Sequence, residues 1–284
     1  MLIGNNLSKT YPSKKALEDV SIQITAGQIC GLLGRNGAGK TTLFKILCGL
    51  IKPDKGKVII NSKRSKPVGG IIERPGLYNY LNAYDNLRIF AGIQGVATDR
   101  DAIHQHLLKV GLPLERKDPV RNFSMGMKQR LGIAIALLND PECLVLDEPF
   151  SGLDPIGVAS LITLIQRLAT EEKIAILLSS HLMGELSKCC HYLYVIDDGR
   201  IVNAGTAVQL INDHISSFSI TAKNISSSST LEKYKTIQGI NEVKVVCNAK
   251  EIPFLLKELL KEGVEVTACT PDLTLEELIK PNRS

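Results

Sequence analysis

Gly34-Arg35-Asn36-Gly37-Ala38-Gly39-Lys40-Thr41-Thr42 has the spacing G-x-x-x-x-G-K-[ST], whose chemistry is the capture of a polyphosphate. Glycines let the backbone turn inward, so that several N–H groups point at one anion, and a helix starting there adds partial positive charge. In such a loop Lys40 reaches the β- and γ-phosphates, and the Thr41 hydroxyl ligates Mg²⁺. A second group is acidic: the apolar run Cys143-Leu144-Val145-Leu146 ends on Asp147 and Glu148. A carboxylate at a buried strand end suits Mg²⁺ opposite Thr41, directly or through water, so Asp147 is the candidate ligand. Glu148, one step further, is placed to polarise a water attacking the γ-phosphate. His181 follows a third apolar run, Ile174–Leu178, at the edge where open parallel sheets bind ligands. From there it would hydrogen-bond the γ-phosphate and hold Glu148 and water in line. Tyr11 is an aromatic able to stack on a purine.

These groups need elements to hold them. Ile29–Leu33 reads as a buried parallel strand before the loop, and Leu43–Leu47 as the start of a helix with a buried face. Residues 2–28 alternate with the period of strands around a turn, including Ala16–Ile24. Val58–Ile60 and Val68–Ile72 are further strands, the second ending at Glu73-Arg74-Pro75, since proline cannot continue a sheet. Residues 78–118 carry helical spacing instead, at Leu81, Tyr84, Leu87 and again at Ile103, Leu107, Val110: a helical insertion in an α/β core. Phe123-Ser124-Met125-Gly126-Met127-Lys128-Gln129-Arg130 opens another helix with Leu131, Ala134, Ile135 and Leu138 on one buried face. Tyr192–Val202 reads as a hairpin turning at Asp198-Gly199, and Gly205-Thr206 starts a last core helix. Beyond about residue 215 the composition shifts. Ser226–Ser229 is expected as a flexible linker or loop, Val243–Cys247 and Val264–Ala268 as strands around a helix at 252–260, and Thr274–Glu277 as a capping box.

At 284 residues and 44% hydrophobic the chain can bury a large core, and a net charge of +5 permits an anionic neighbour without demanding one. No apolar stretch is long enough to span a bilayer and no secretory signal opens the chain, so a cytosolic protein is expected. The 7 cysteines are expected as reduced, mostly buried thiols; Cys189-Cys190-His191 lacks a second ligand pair with zinc spacing.

The order and spacing of Gly34–Thr41, Phe123–Gln129, Cys143–Glu148, Ser151–Asp154 and His181 resemble the ATP-binding subunit of an ABC transporter over roughly residues 1–215. The resemblance implies an α/β P-loop NTPase core with an N-terminal antiparallel β subdomain, a helical subdomain at about 74–135, and a small C-terminal α+β accessory region at 216–284. It implies ATP and Mg²⁺ as cofactors, with catalytic roles for Lys40, Glu148, His181 and Glu73. Nucleotide contacts would come from Tyr11 on the adenine, Gly34, Arg35, Asn36, Gly37, Ala38, Gly39, Lys40, Thr41 and Thr42. It also implies a homodimer sandwiching two ATP molecules, with Ser124 and Gly126 of one copy facing the γ-phosphate held by Lys40 of the other, and Asp154 at the seam. The partner would be a membrane permease, with the chain peripheral on the inner face of the cell membrane and no direct nucleic-acid contact. The rival expectation is a soluble ABC ATPase acting on nucleic acid or ribosomes, or an exporter of another substrate; one cassette without sustained heptads disfavours the nucleic-acid form. Two departures stand out. The family signature usually reads Leu-Ser-Gly-Gly-Gln, here Phe123–Met127, and Glu73 replaces the usual glutamine, placing a carboxylate near Mg²⁺ and the lytic water. Both features resemble the branch exporting lantibiotics and bacitracin-like peptides.

Overall fold

The computed structural model describes every residue except 224, 226–227, 239–241, 273–274 and 280–284. The chain folds as two compact units, Met1–Ala204 and Gly205–Ser284.

In the first unit the apolar runs become the strands of one sheet. β3 (Ile29–Leu33), β6 (Cys143–Leu146) and β7 (Ala175–Ser180) are buried at every position, as strands covered on both faces require. Together with β5 (Val68–Ile71), β8 (Tyr192–Asp197) and β9 (Arg200–Gly205) they form a six-stranded sheet in the order β5-β6-β7-β3-β8-β9. β3, β6 and β7 run parallel, with Leu33 paired to Ser180 and Leu146 to Leu178. Their carboxyl ends therefore emerge side by side on one edge, carrying the 34–42 loop, Asp147-Glu148 and His181. The β8–β9 turn uses Asp198 (φ 41°) and Gly199 (φ 77°), two successive left-handed residues suited to a tight hairpin.

α1 (Lys40–Leu47) lies behind the loop. It buries Leu43, Phe44, Ile46 and Leu47 in a core shared with Leu2, Leu17, Leu32 and Val145. Phe44 is fully buried, and truncating such a residue costs about 3–5 kcal/mol. A separate antiparallel sheet, ordered β2-β1-β4, comprises β1 (Leu2–Tyr11), β2 (Lys14–Ile24) and β4 (Lys55–Ile60). It ends at Tyr11 beside the phosphate loop. The helical insertion is α2 (Ala83–Gln94), α3 (Arg100–Lys109) and α4 (Met125–Ala136). Asn86, wholly buried at the start of α2, accepts from Tyr78 N at 2.8 Å and donates to Tyr78 O at 3.0 Å and Asn82 O at 2.9 Å, tying down the entry loop. Asp154 caps α5 (Pro155–Thr170), and a single turn, α6 (Met183–Leu186), follows His181.

The second unit contains α7 (Ala207–His214), read from sequence as a last core helix but placed here. A four-stranded antiparallel sheet runs β11-β12-β10-β13, from β10 (Phe218–Ala222), β11 (Lys235–Gln238), β12 (Glu242–Val246) and β13 (Val266–Pro271). α8 (Ile252–Lys261) packs Leu255 and Leu259 into a core with Ile220, Val243 and Val245, and α9 (Leu275–Ile279) ends the described chain. Of the expected serine linker, Ser226 and Ser227 lie outside the described residues, but Ser228 and Ser229 are anchored: both hydroxyls donate to Glu262, as do Thr230 N (3.1 Å) and Thr230 Oγ1 (2.8 Å). Thr274 of the expected capping box is likewise outside them.

All seven cysteines are free, and burial pushes the Cys30 and Cys143 thiols up to about 12. Among the described residues no helix is long and apolar enough to cross a membrane, and no three His, Cys, Asp or Glu residues form a metal-holding group.

Candidate functional site

The 34–42 loop wraps the N-terminus of α1 because two glycines take backbone angles closed to other residues. Gly37 has φ 81° and Gly39, the residue preceding α1, φ 110°; a Cβ on Gly39 would stand 2.5 Å from the Ala16 carbonyl oxygen. The first N–H groups of α1 thus face an open cleft of about 560 Å³. The loop residues Arg35, Asn36, Gly37, Gly39, Lys40, Thr41 and Thr42 line it, with Tyr11 and Lys14 at one side and Glu73, Asp147 and Glu148 at the other. Tyr11 is 40% exposed there, so its ring is open to a planar ligand. Ala38 is buried behind the loop, and the Gly34 carbonyl accepts from Lys40.

Lys40 is only 6% exposed. Its Nζ donates to the carbonyls of Gly34 (2.7 Å) and Arg35 (3.3 Å) and lies 3.1 Å from Glu148 Oε1, an ion pair without hydrogen-bond alignment. Thr41 Oγ1 donates to Asp147 Oδ2 at 2.8 Å, joining the loop to the end of β6. The other oxygen, Asp147 Oδ1, accepts from Ser179 Oγ at 2.7 Å, and Ser179 Oγ accepts from Glu148 N at 2.8 Å. Ser179 thereby holds Glu148 in its left-handed backbone (φ 48°), a conformation costly to a non-glycine residue. His181 Nδ1 meets Glu148 Oε2 at 3.0 Å. Lys40, Thr41, Asp147 and Glu148 are thus linked by side-chain contacts in the cleft that Tyr11, Arg35, Asn36, Gly37, Gly39, Thr42 and Glu73 also line, and His181 touches it through Glu148.

The remaining candidates sit differently. Glu73 (φ 67°) lines the rim with its carboxylate turned to Lys45 Nζ at 3.0 Å. Two residues on, Pro75 packs against Gly132 of α4, where a Cβ would approach within 2.9 Å. Ser124 and Gly126 are not in the cleft. They line a separate hollow of about 320 Å³ with Arg116 and Asp154. Ser124 Oγ caps α4 by accepting from Met127 N at 3.3 Å.

The family model described as ABC transporter matches residues 17–151. The bacitracin transport ATP-binding protein BcrA of Bacillus licheniformis is 45% identical over 205 residues, covering 69% of this chain and 67% of that protein. The lantibiotic transport ATP-binding protein SrtF of Streptococcus pyogenes is 42% identical over 207 residues, covering 71% of this chain and 89% of that one. Among solved structures, cbiO1 from Clostridium perfringens, part of the ABC transporter complex cbiONQ, superposes with TM-score 0.65 at 26% identity, covering 74% of this chain and 89% of that one. The chain belongs to the ABC transporter ATP-binding family.

Two residues of the cassette went unread in the sequence. Ser179 is one of two serines between the apolar run Ile174–Leu178 and His181, and only the β6–β7 pairing shows that its hydroxyl bridges Asp147 and Glu148. Lys14 donates to the Gly37 carbonyl at 2.7 Å, adding a cation at the loop tip; its place one turn beyond Tyr11 was the available signal.

Proposed function

We propose that this cassette hydrolyses ATP to drive a separate membrane permease, and that the transported molecule is a peptide antibiotic of the bacitracin or lantibiotic class. The observation that carries the catalytic part is the chain of contacts Thr41–Asp147–Ser179–Glu148–His181 along one sheet edge, with Lys40 in its midst. The substrate class is supported by the named transport roles of the two relatives.

ATP enters with its phosphates against the N–H groups at the start of α1 and its adenine on Tyr11, while Arg35, Asn36, Ala38 and Thr42 complete the loop around them. Lys40 exchanges Glu148 for the β- and γ-phosphates. The Thr41 hydroxyl and Asp147 carboxylate, 2.8 Å apart, are the hard oxygen donors that Mg²⁺ prefers, so the residues fit that ion. Bound there, it supplies neutralisation of phosphate charge. Glu73, paired with Lys45, adds a further carboxylate to the cleft's lining. Glu148, released from Lys40, accepts a proton from the attacking water, and His181 holds its other oxygen in line. Ser124 and Gly126, facing away from their own cleft, close over the nucleotide of a second copy, with Asp154 at the seam. The chain works on the cytoplasmic face of the membrane, beside its permease.

The test uses membranes holding the cassette together with a polytopic permease, chosen from the reading frames neighbouring its gene. ATP hydrolysis stimulated by bacitracin or a lantibiotic, absent for an unrelated peptide and abolished by Lys40→Ala, is expected. Hydrolysis indifferent to the permease, with salt-sensitive RNA binding instead, overturns the reading.

A further inference from the structure

The start of α4 carries three signature departures, Phe123, Met125 and Met127; the first and last of them flank Ser124 and Gly126. One side chain from the preceding loop touches both Phe123 and Met127. The Arg116 guanidinium lies over the Phe123 ring, 5.0 Å from its centroid, and its Nη1 contacts Met127 Sδ at 3.3 Å. Asp118 fixes the guanidinium from the other side through Nε at 3.0 Å. Phe123 is itself buried (5% exposed), so the stack is anchored on a fixed ring. Arg116 also lines the hollow that holds Ser124, Gly126 and Asp154.

We propose that Arg116 is a positioning residue: by gripping Phe123 and Met127 it fixes the first turn of α4, so that Ser124 and the free N–H groups beside Gly126 stand ready for the nucleotide of a second copy. The sequence needs such a grip. Nothing within the first turn of α4 binds Met127's thioether, and the capping bond from Met127 N to Ser124 Oγ is long at 3.3 Å. A planar cation stacked on an aromatic ring supplies the directional restraint that capping bond lacks. Arg116 lies outside the nucleotide cleft of its own chain, so removing it should leave capture of nucleotide by a single chain alone.

This inference rests on the proposed ATP-dependent pairing of two copies, and the experiment separates the two. In a Glu148→Gln background, Arg116→Ala is compared with its parent for affinity towards a fluorescent ADP and for ATP-induced dimer formation by light scattering. ADP affinity should stay unchanged while the protein concentration needed for half-dimerisation rises about tenfold, the effect of losing roughly one stacked and hydrogen-bonded contact. Arg116→Lys keeps the charge but not the planar stack and should fall between the two. Hydrogen exchange at residues 125–128 provides a readout independent of pairing and should accelerate in both variants with no change at the phosphate loop. Equal dimerisation and equal exchange in parent and Arg116→Ala overturn the proposal. A parent that stays monomeric with ATP defeats the pairing reading, while exchange still decides for or against Arg116.

Discussion

Glu148→Gln tests the centre of the site. In the free protein Lys40 and Glu148 face each other at 3.1 Å, with Lys40 6% and Glu148 26% exposed. At an effective dielectric near 20 the bare attraction at that separation is about 5 kcal/mol. Most of it is offset by desolvating both groups, and a net of about 1.4 kcal/mol corresponds to tenfold in an equilibrium constant. Phosphate must displace Glu148 from Lys40, so the pair opposes nucleotide binding by that net amount. The neutral amide keeps the shape and removes the opposition: ADP should bind the variant roughly tenfold more tightly. Lys40 stays anchored by the Gly34 and Arg35 carbonyls, so the fold should hold. Phosphate release at saturating ATP should fall by about 10²–10⁴, the contribution of a positioned base. Titration with fluorescent ADP and a phosphate-release assay read the two effects separately. Undiminished turnover would refute the role of Glu148, and weaker ADP binding would refute its competition with phosphate for Lys40.

Ser179→Ala removes a fully buried hydroxyl that serves Asp147 and the Glu148 amide together. Leaving those groups unpaired should cost about 1–3 kcal/mol of stability, seen as a lower denaturation midpoint, and should slow hydrolysis more than it weakens ADP binding. Hydroxyl and amide donors from Ser228, Ser229 and Thr230 hold the Glu262 carboxyl down at about 2, against an ordinary 4.5. A lowered carboxylate stabilises the fold above its unfolded value and loses that contribution as pH falls through the native one. The second unit should therefore weaken between about pH 4.5 and pH 2, and Glu262→Gln should flatten that part of a pH–stability profile measured by circular dichroism.

The sheet edge was legible in the sequence because buried parallel strands are written as apolar runs leading to their functional residues: Leu33 before the loop, Leu146 before Asp147, and Ile174–Leu178, through two serines, before His181. The helical insertion was legible from its period. Less visible was whatever depends on pairing between distant strands. Ser179 looks like any small polar residue until β6 and β7 lie side by side. Phe218–Ala222 and Lys235–Gln238 are short and flanked by polar residues, so their strand character comes from the sheet they complete. Nor does a linear pattern show that Gly205–His214 folds with the later residues; helix propensity says nothing about which core receives its apolar face. The Arg116 grip likewise joins residues whose types alone suggest only a loop and a helix start.

The short segment from Glu73 to Pro75 fastens two helices that face different openings. At one end the carboxylate holds Lys45 of α1; at the other the proline ring occupies the notch left by Gly132 in α4. Three residues reach about 10 Å at full stretch, so this tether has little slack. The Lys45–Glu73 pair is solvent-exposed and worth at most about 1 kcal/mol, so a shift of α1 as its cavity fills would bias α4, and the serine at that helix's tip, by no more than that.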